Sequence, residues 1–237
     1  MAEMQGFCRA EQGCSAVDVV PLFLGNDYYP SPDAYMDALA EVLQKEYEAI
    51  AASGIQLQVD CPDLAMGRHF VDGDNASFRK VAERYVELVN YASRNIPPEQ
   101  MRIHICWGNY EGPHHRDIPL RDIVDIVLKS RPASISVEAS NPRHEHEWAV
   151  WKDVKLPEGK VLIPGVIDST SNFIEHPELI AQRIVRYAEV VGRENVIAGA
   201  DCGFGTFAAL QLIYPGIAWA KLKSLSEGAA LATKELW

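Results

Sequence analysis

Short apolar runs alternate with helix-period segments along this chain of 237 residues, and most of the runs close on side chains able to hold a metal or a proton. Residues 55–60 end on Asp60, 102–107 carry His104 and Cys106, and 134–139 carry Glu138. Residues 161–167 lead to Asp168, and 195–200 deliver Asp201-Cys202-Gly203. Strands separated by helices require right-handed crossovers and therefore a parallel sheet. Its strand ends then point one way, and polar residues gathered at the carboxyl ends are where a (β/α) barrel places its chemistry. An open doubly wound sheet gathers them at one edge as well, but its phosphate-binding glycine signature is missing here.

The expected strands are 17–24, 55–60, 102–107, 134–139, 161–167 and 195–200. The expected helices are 33–53, capped by Ser31 or Asp33 and stopped by Gly54, then 77–93, 120–129, 178–191 and 218–236. That makes about six strands where a closed barrel needs eight. The chain reads as the later part of a TIM-type (β/α)8 barrel, apparently lacking its first strands, with residues 1–237 as one catalytic domain.

Within 102–108 the alternation puts His104 and Cys106 on one side of one strand, and Glu138 falls among small polar residues on one face of the next. Two thiolates, an imidazole and a carboxylate are a complete tetrahedral set for zinc. The competing reading is a closed structural site or unrelated core and surface residues, although the chain lacks the Cys-x-x-Cys of most structural sites. Five cysteines without regular spacing do not suggest a disulfide framework, so a reduced, cytoplasmic setting is expected. A net charge of −11 argues against nucleic acid or an anionic membrane as a partner, and no apolar run is long enough to span a bilayer. The amino terminus lacks the pattern of a secretory signal.

Other positions remain open between two roles. Asp60 and Asp168 either orient substrate or cap the segments that follow. His144 and His146 form a second metal site or, as alternating charge favours, a solvated loop. His114 and His115 border the site or lie outside it. Gly203-Phe204-Gly205-Thr206 cradles an anion or makes a tight turn. Trp107 and Trp148 wall a cofactor or pack the core, while Cys8, Cys14 and Cys61 read as ordinary thiols.

Five ordered segments carry a family resemblance: residues 55–62 (IQLQVDCP), His104-Ile105-Cys106, Val137-Glu138, Gly165-Val166-Ile167-Asp168 and Asp201-Cys202-Gly203. From about Phe23 onward the chain resembles the catalytic barrel of cobalamin-independent methionine synthase and its short relatives, which include epoxyalkane:coenzyme M transferases. The resemblance implies a barrel of the methionine synthase/uroporphyrinogen decarboxylase kind, with Zn2+ on His104, Cys106, Glu138 and Cys202. It sets Asp60 at the aspartate that contacts the amino group of homocysteine, and makes Asp60 and Asp168 the candidate catalytic residues. Two departures stand out. Thr170 replaces a histidine that follows the Gly-Val-x-Asp segment in methionine synthases, and the early substrate-binding strands have no counterpart.

The expected activity is zinc-dependent alkyl transfer to a thiol, foremost methyl transfer to homocysteine as in methionine biosynthesis. Partners are then a small-molecule thiol and an alkyl donor (methyl-folate, a corrinoid-bound methyl or an epoxide), with a homo-oligomer possible. A ligand set with three negative charges should leave a bound thiolate electron-rich, and Glu138 is the weakest of the four ligands. With Thr170 in place of histidine, the proton donors to consider are His114, His115 and His176. Arg68, Arg116, Arg143 and Arg183 are the basic candidates for an anionic substrate. The rivals are epoxide opening by coenzyme M on the same site, and an inactive or partner-completed barrel fragment.

Overall fold

A computed structural model describes residues 11–205 and 213–237. Six parallel strands are hydrogen-bonded in chain order: β1 (Glu11–Ser15), β2 (Gln56–Cys61), β3 (Met101–Ile105), β4 (Ser134–Val137), β5 (Val161–Ile167) and β6 (Gly199–Ala200). This order winds in one direction, unlike the reversing order of a doubly wound sheet. Among the described residues six of the eight strands of a closed barrel are therefore present, and no ladder joins β6 back to β1.

Helices α1 (Val19–Phe23) and α2 (Pro32–Ala52) join β1 to β2, and α3 (Asn75–Ala92) leads to β3. The short α4 (Val124–Val127) precedes β4, α5 (Pro177–Val191) precedes β6, and α6 (Pro215–Leu236) ends the chain. Helix α2 starts where Ser31 Oγ accepts the N–H of Ala34 at 3.1 Å and Pro32 presets the first turn. It stops before Gly54, whose φ of +81° suits a residue without Cβ. No helix among the described residues is long and apolar enough to cross a membrane.

Three expected elements differ. The run 17–24 is not a strand: a turn and α1 bury Ala16 and Val17, and the strand is the polar stretch before it. Among the described residues β1 pairs on one side only, and such a strand needs no continuous apolar run, which hid it in the sequence. The helix expected over 120–129 is a 3-10 turn (Leu120–Asp122) followed by the single turn of α4, in a segment rich in β-branched residues. The strand expected over 195–200 shrinks to β6 plus one bridge between Leu162 and Val196.

Side-chain alternation fixes which residues meet. Leu57, Val59, Cys61, Met101, Ile103, Ile105, Ile135 and Val137 all enter the main core. Burying each large apolar chain contributes roughly 1.5–3 kcal/mol, so a one-residue slip of any strand is prohibitive. The opposite face therefore belongs to the residues between them. Its upper row runs Asp60, His104, Ser136, Ile163 across four paired strands, and the row beneath runs Gln58, Arg102, Ser134.

Candidate metal centre

His104 projects from the end of β3, Cys106 lies just past it, Glu138 follows β4 and Cys202 follows β6. Cys202 Sγ sits 3.3 Å from His104 Nε2 and 3.4 Å from Cys106 Sγ, though 96 residues separate the two cysteines. Both cysteines are free thiols. Ligand atoms of His104, Cys106 and Cys202 all fall within 4.8 Å of one another. Two sulfurs on one tetrahedral zinc, each at ~2.3 Å, would lie roughly 3.8 Å apart, so only small adjustments separate this triad from a metal geometry.

Glu138 is tied in beside the triad. Its Oε1 lies 3.6 Å from Cys202 Sγ and accepts the Trp107 N–H at 2.7 Å, while Oε2 accepts from the Asn141 amide at 2.8 Å. His104 is held on its other side, Nδ1 lying 3.1 Å from Ser136 Oγ. The Gly108 N–H points at Cys106 Sγ from 3.3 Å.

Electrostatically the cluster carries too much acid for its burial. The hydrogen bond from Cys202 holds the Cys106 thiol well below its ordinary range, and that same bond together with burial pushes Cys202 well above. Burial pulls His104 down, but its contact with Cys106 and the charge of Asp60 outweigh that and raise it. Burial drives Glu138 well above the carboxylate range, with Cys106 and Asp201 adding to the rise. Burial lifts Asp60 as well, against the pull of His104. Acidic groups crowded in this way relax when a cation enters, and the sulfur-rich donor set fits zinc.

A cavity of about 670 Å³ opens onto the cluster, lined by Asp60, His104, Cys106, Ser136 and Cys202 among others. Asp60 Oδ1 is 4.0 Å from His104 Nε2 and is a buried atom without a hydrogen-bond partner. Asp168 is placed differently: its Oδ1 accepts from the N–H and hydroxyl of Thr170, each at 2.9 Å, and it does not line the cavity. Ser169 beside it accepts the N–H of Cys202 at 3.1 Å.

Of the histidines considered as proton donors, His114 has both ring nitrogens engaged, with Asp117 and the Tyr110 carbonyl, while His115 and His176 are exposed. None of the three lines the cavity. His144 is not on a solvated loop. It is buried, 2.8 Å from Glu147 and 3.3 Å from Asp117, because a 3-10 helix (Glu145–Lys152) folds it inward against Trp107. Trp107 is wholly buried and donates to the Ile118 carbonyl, so it packs the core. Cys14 and Cys61 are buried in the same core, and burial pushes Cys14 up to about 12. Gly203 and Gly205 line the cavity, whereas Cys8 and Thr206 lie outside the described residues.

Sequence reasoning missed the support around the ligands. Asp201 Oδ1 accepts the N–H groups of Ala139 and Ser140 at 2.8 and 2.9 Å, and Oδ2 accepts from Asn141 N–H and amide at 2.9 and 3.0 Å. It is 1% exposed; burial raises its carboxyl, and these donors pull it back. Period-two counting back from Glu138 and His104 reaches Ser136 and Arg102, so the signal for those two was present. Arg102 lines the cavity; Arg68, Arg116, Arg143 and Arg183 do not.

Residues 27–213 match the family model described as the catalytic domain of cobalamin-independent synthase. The chain is 28% identical over 212 residues to a methionine synthase of Thermococcus kodakarensis, covering 89% of this chain and 54% of that protein. It is 26% identical over 198 residues to a 2-hydroxypropyl-CoM lyase of Xanthobacter autotrophicus, covering 73% of this chain and 51% of the lyase. The chain thus spans about half the length of these curated relatives. A solved B12-independent methionine synthase from Shewanella sp. W3-18-1 shares the fold with a TM-score of 0.74 at 20% identity, over 95% of this chain and 62% of that one.

Proposed function

This chain belongs to the cobalamin-independent synthase catalytic-domain family, and on that footing we propose a zinc-dependent thiol alkyltransferase, acting foremost in methyl transfer to homocysteine or a related thiol. The convergence of His104, Cys106 and Cys202 beside Glu138 carries this reading. These four residues would hold the metal, on a sheet that forms part of a (β/α)8 barrel, with residues 1–237 as one catalytic unit. Zinc held there would keep a bound substrate thiol deprotonated at neutral pH, where a free thiol is only a few per cent thiolate.

The chain's own residues supply the rest. Ser136 fixes the tautomer and rotation of His104, while Trp107 and Asn141 hold the Glu138 carboxylate in place. Asp60, with a buried oxygen lacking a partner, receives the ammonium group of an amino-acid thiol. Asp168 positions the turn through Thr170, and the neighbouring Ser169 anchors Cys202. Phe23, Pro62, Met66 and Ile163 give the cavity apolar walls that restrict water around the reacting sulfur. A reducing cytoplasmic setting suits the two free thiols.

A second reading, carbon–sulfur bond formation by opening an epoxide, is favoured by Thr170. A tertiary-amine methyl donor needs protonation at nitrogen, and position 170 holds no imidazole but a threonine whose hydroxyl donates to Asp168. Likeness to the 2-hydroxypropyl-CoM lyase supports it too.

Metal analysis of the purified protein beside Cys106→Ser and Cys202→Ser tests the centre. Near-stoichiometric zinc that falls in both variants is expected, and equal metal in all three removes the basis of the proposal. Thiol consumption with homocysteine or coenzyme M, each against methyl-folate and an epoxide, then separates the two readings.

A further inference from the structure

Tyr110, in the loop after β3, lines the cavity that opens onto the ligand cluster. Its ring is held from three directions. A Cβ on Gly108 would come within 2.9 Å of Cε1, and one on Gly112 would run into Cε2, so a side chain at either position would displace the ring. The imidazole of His114 stacks on one face, with ring centroids 4.3 Å apart and planes inclined by 25°. His114 is itself anchored, Nδ1 lying 3.0 Å from Asp117 Oδ2 and Nε2 3.0 Å from the Tyr110 carbonyl. It keeps this place at a φ of +46°, where residues other than glycine are uncommon. The ring is thus fixed, yet its hydroxyl has no hydrogen-bond partner among the described residues.

Alkyl transfer needs an acid that no other side chain supplies. As sulfur attacks carbon, the carbon–oxygen or carbon–nitrogen bond of the donor breaks, and the leaving atom keeps the electron pair and needs a proton. His114, His115 and His176 do not line the cavity, and the Thr170 hydroxyl donates to Asp168. Of the described residues that line it, His104, Cys106 and Cys202 are the candidate ligands, and Ser136 faces His104 Nδ1 at 3.1 Å. Arg102 keeps its protons at any working pH. Asp60, as the ammonium receptor, acts as a carboxylate. Tyr110 is left, and it stands close to the centre: Gly108, against which the ring rests, points its N–H at Cys106 Sγ from 3.3 Å.

We infer that the Tyr110 hydroxyl is the acid of the transfer step, giving its proton to the leaving oxygen or nitrogen of the alkyl donor. The inference rests on the thiol alkyltransferase reading. Sulfur gains the carbon, the leaving atom gains the hydroxyl proton, and the phenolate recovers a proton from water, which balances the one released by the thiol. At 42% exposed, the side chain stands where water reaches it. A phenol is a far stronger acid than the alcohol formed from an opened epoxide, so the transfer to an alkoxide runs downhill.

Tyr110→Phe keeps the ring and its packing and removes only the hydroxyl. Zinc-loaded wild type and variant, at matched metal content, are given homocysteine or 2-mercaptoethanesulfonate with one of three donors. Epoxypropane and 5-methyltetrahydrofolate need a proton on the leaving atom, whereas methyl iodide releases iodide without one. S-alkyl product is counted by mass spectrometry above the rate of metal-free protein. Tyr110→Phe should lose roughly 10²–10⁴-fold in kcat/KM with whichever proton-requiring donor wild type uses, and nothing with methyl iodide. Thiol binding to cobalt(II)-loaded protein, read from the thiolate–cobalt charge-transfer band, should be the same in both proteins. An equal loss with methyl iodide, or weaker thiol binding, would make Tyr110 a support of the thiol site and overturn the inference. An undiminished rate with the proton-requiring donor overturns it too and leaves Asp60 as the acid in the cavity. Wild type active with methyl iodide alone overturns it while the thiolate centre stands. No alkylation by any donor above the metal-free rate overturns the alkyltransferase reading, and this inference with it.

Discussion

The backbone N–H of Trp107 donates to Oε1 of Glu138 at 2.7 Å, tying the loop after Cys106 to the end of the next strand. The two strand ends that carry the candidate ligands Cys106 and Glu138 are therefore registered by a hydrogen bond. Asp201 extends the brace by gripping three successive N–H groups just after Glu138.

Asp201→Asn should loosen the whole centre. An amide offers one acceptor oxygen where the carboxylate offers two, and its NH2 group faces donors. With the side chain buried, the loss should cost about 2–4 kcal/mol in urea unfolding. Cobalt affinity should fall about 10–100-fold, as for other outer partners of metal ligands. A competition titration showing unchanged affinity would separate Asp201 from the centre.

Much of this arrangement was legible in the sequence, because the signals were local. Period-two alternation put His104 and Cys106 on one face, and Ser31 and Gly54 bounded α2. What escaped was decided by tertiary context. Among the described residues β1 pairs on one side only and is polar, and of the apolar run 17–24 the turn buries Val17 while Phe23 and Leu24 stay exposed. His144 reads as a surface residue among charges, yet Asp117 and Glu147 draw it inside. Asp201 lies next to a ligand in the sequence, but its partners are 60 to 62 residues away.

Lys221 of α6 is fully buried, its Nζ 2.9 and 3.1 Å from the two oxygens of Glu175. Glu175 in turn accepts the N–H of Asp168 at 2.8 Å. Lys221→Met should destabilise by roughly 3–5 kcal/mol, because it strands a buried carboxylate. Adding Glu175→Gln should recover part of the loss, since the amide still accepts from Asp168 and leaves no charge. A double variant as unstable as the sum of the singles would contradict this coupling.

Gly228 reverses a familiar expectation. Replacing a mid-helix glycine by alanine usually stabilises by about 0.5–1 kcal/mol. Here the added Cβ would come within 2.6 Å of Ile180 Cβ and 2.8 Å of the Pro177 carbonyl, where α6 crosses α5. Gly228→Ala should therefore lower Tm, at a net cost of roughly 1–3 kcal/mol. Ser226→Ala, at an exposed position of the same helix, should raise it slightly. A higher Tm for Gly228→Ala would mean that the two helices part without cost.

The stability that His144 contributes should fall between about pH 6.5 and pH 9. Burial pushes this imidazole down, but hydrogen bonds with Asp117 and Glu147, and the charge of Glu138, lift it from 6.5 to about 9. The folded protein thus keeps a proton through a range in which the unfolded chain has released it. Its stabilising contribution is complete below 6.5 and lost as pH climbs through the folded value, at most about 3 kcal/mol for a shift of this size. Asp117 also faces His69, His114 and Arg143, so His144→Gln should flatten the slope rather than abolish it. Urea midpoints at pH 6.5, 7.5 and 9, with chelator in every sample to remove metal-linked protons, should show the gap between wild type and His144→Gln closing as pH rises. Parallel curves for the two proteins would mean that His144 is neutral in the folded state and that Asp117 and Glu147 hold it by hydrogen bonds alone.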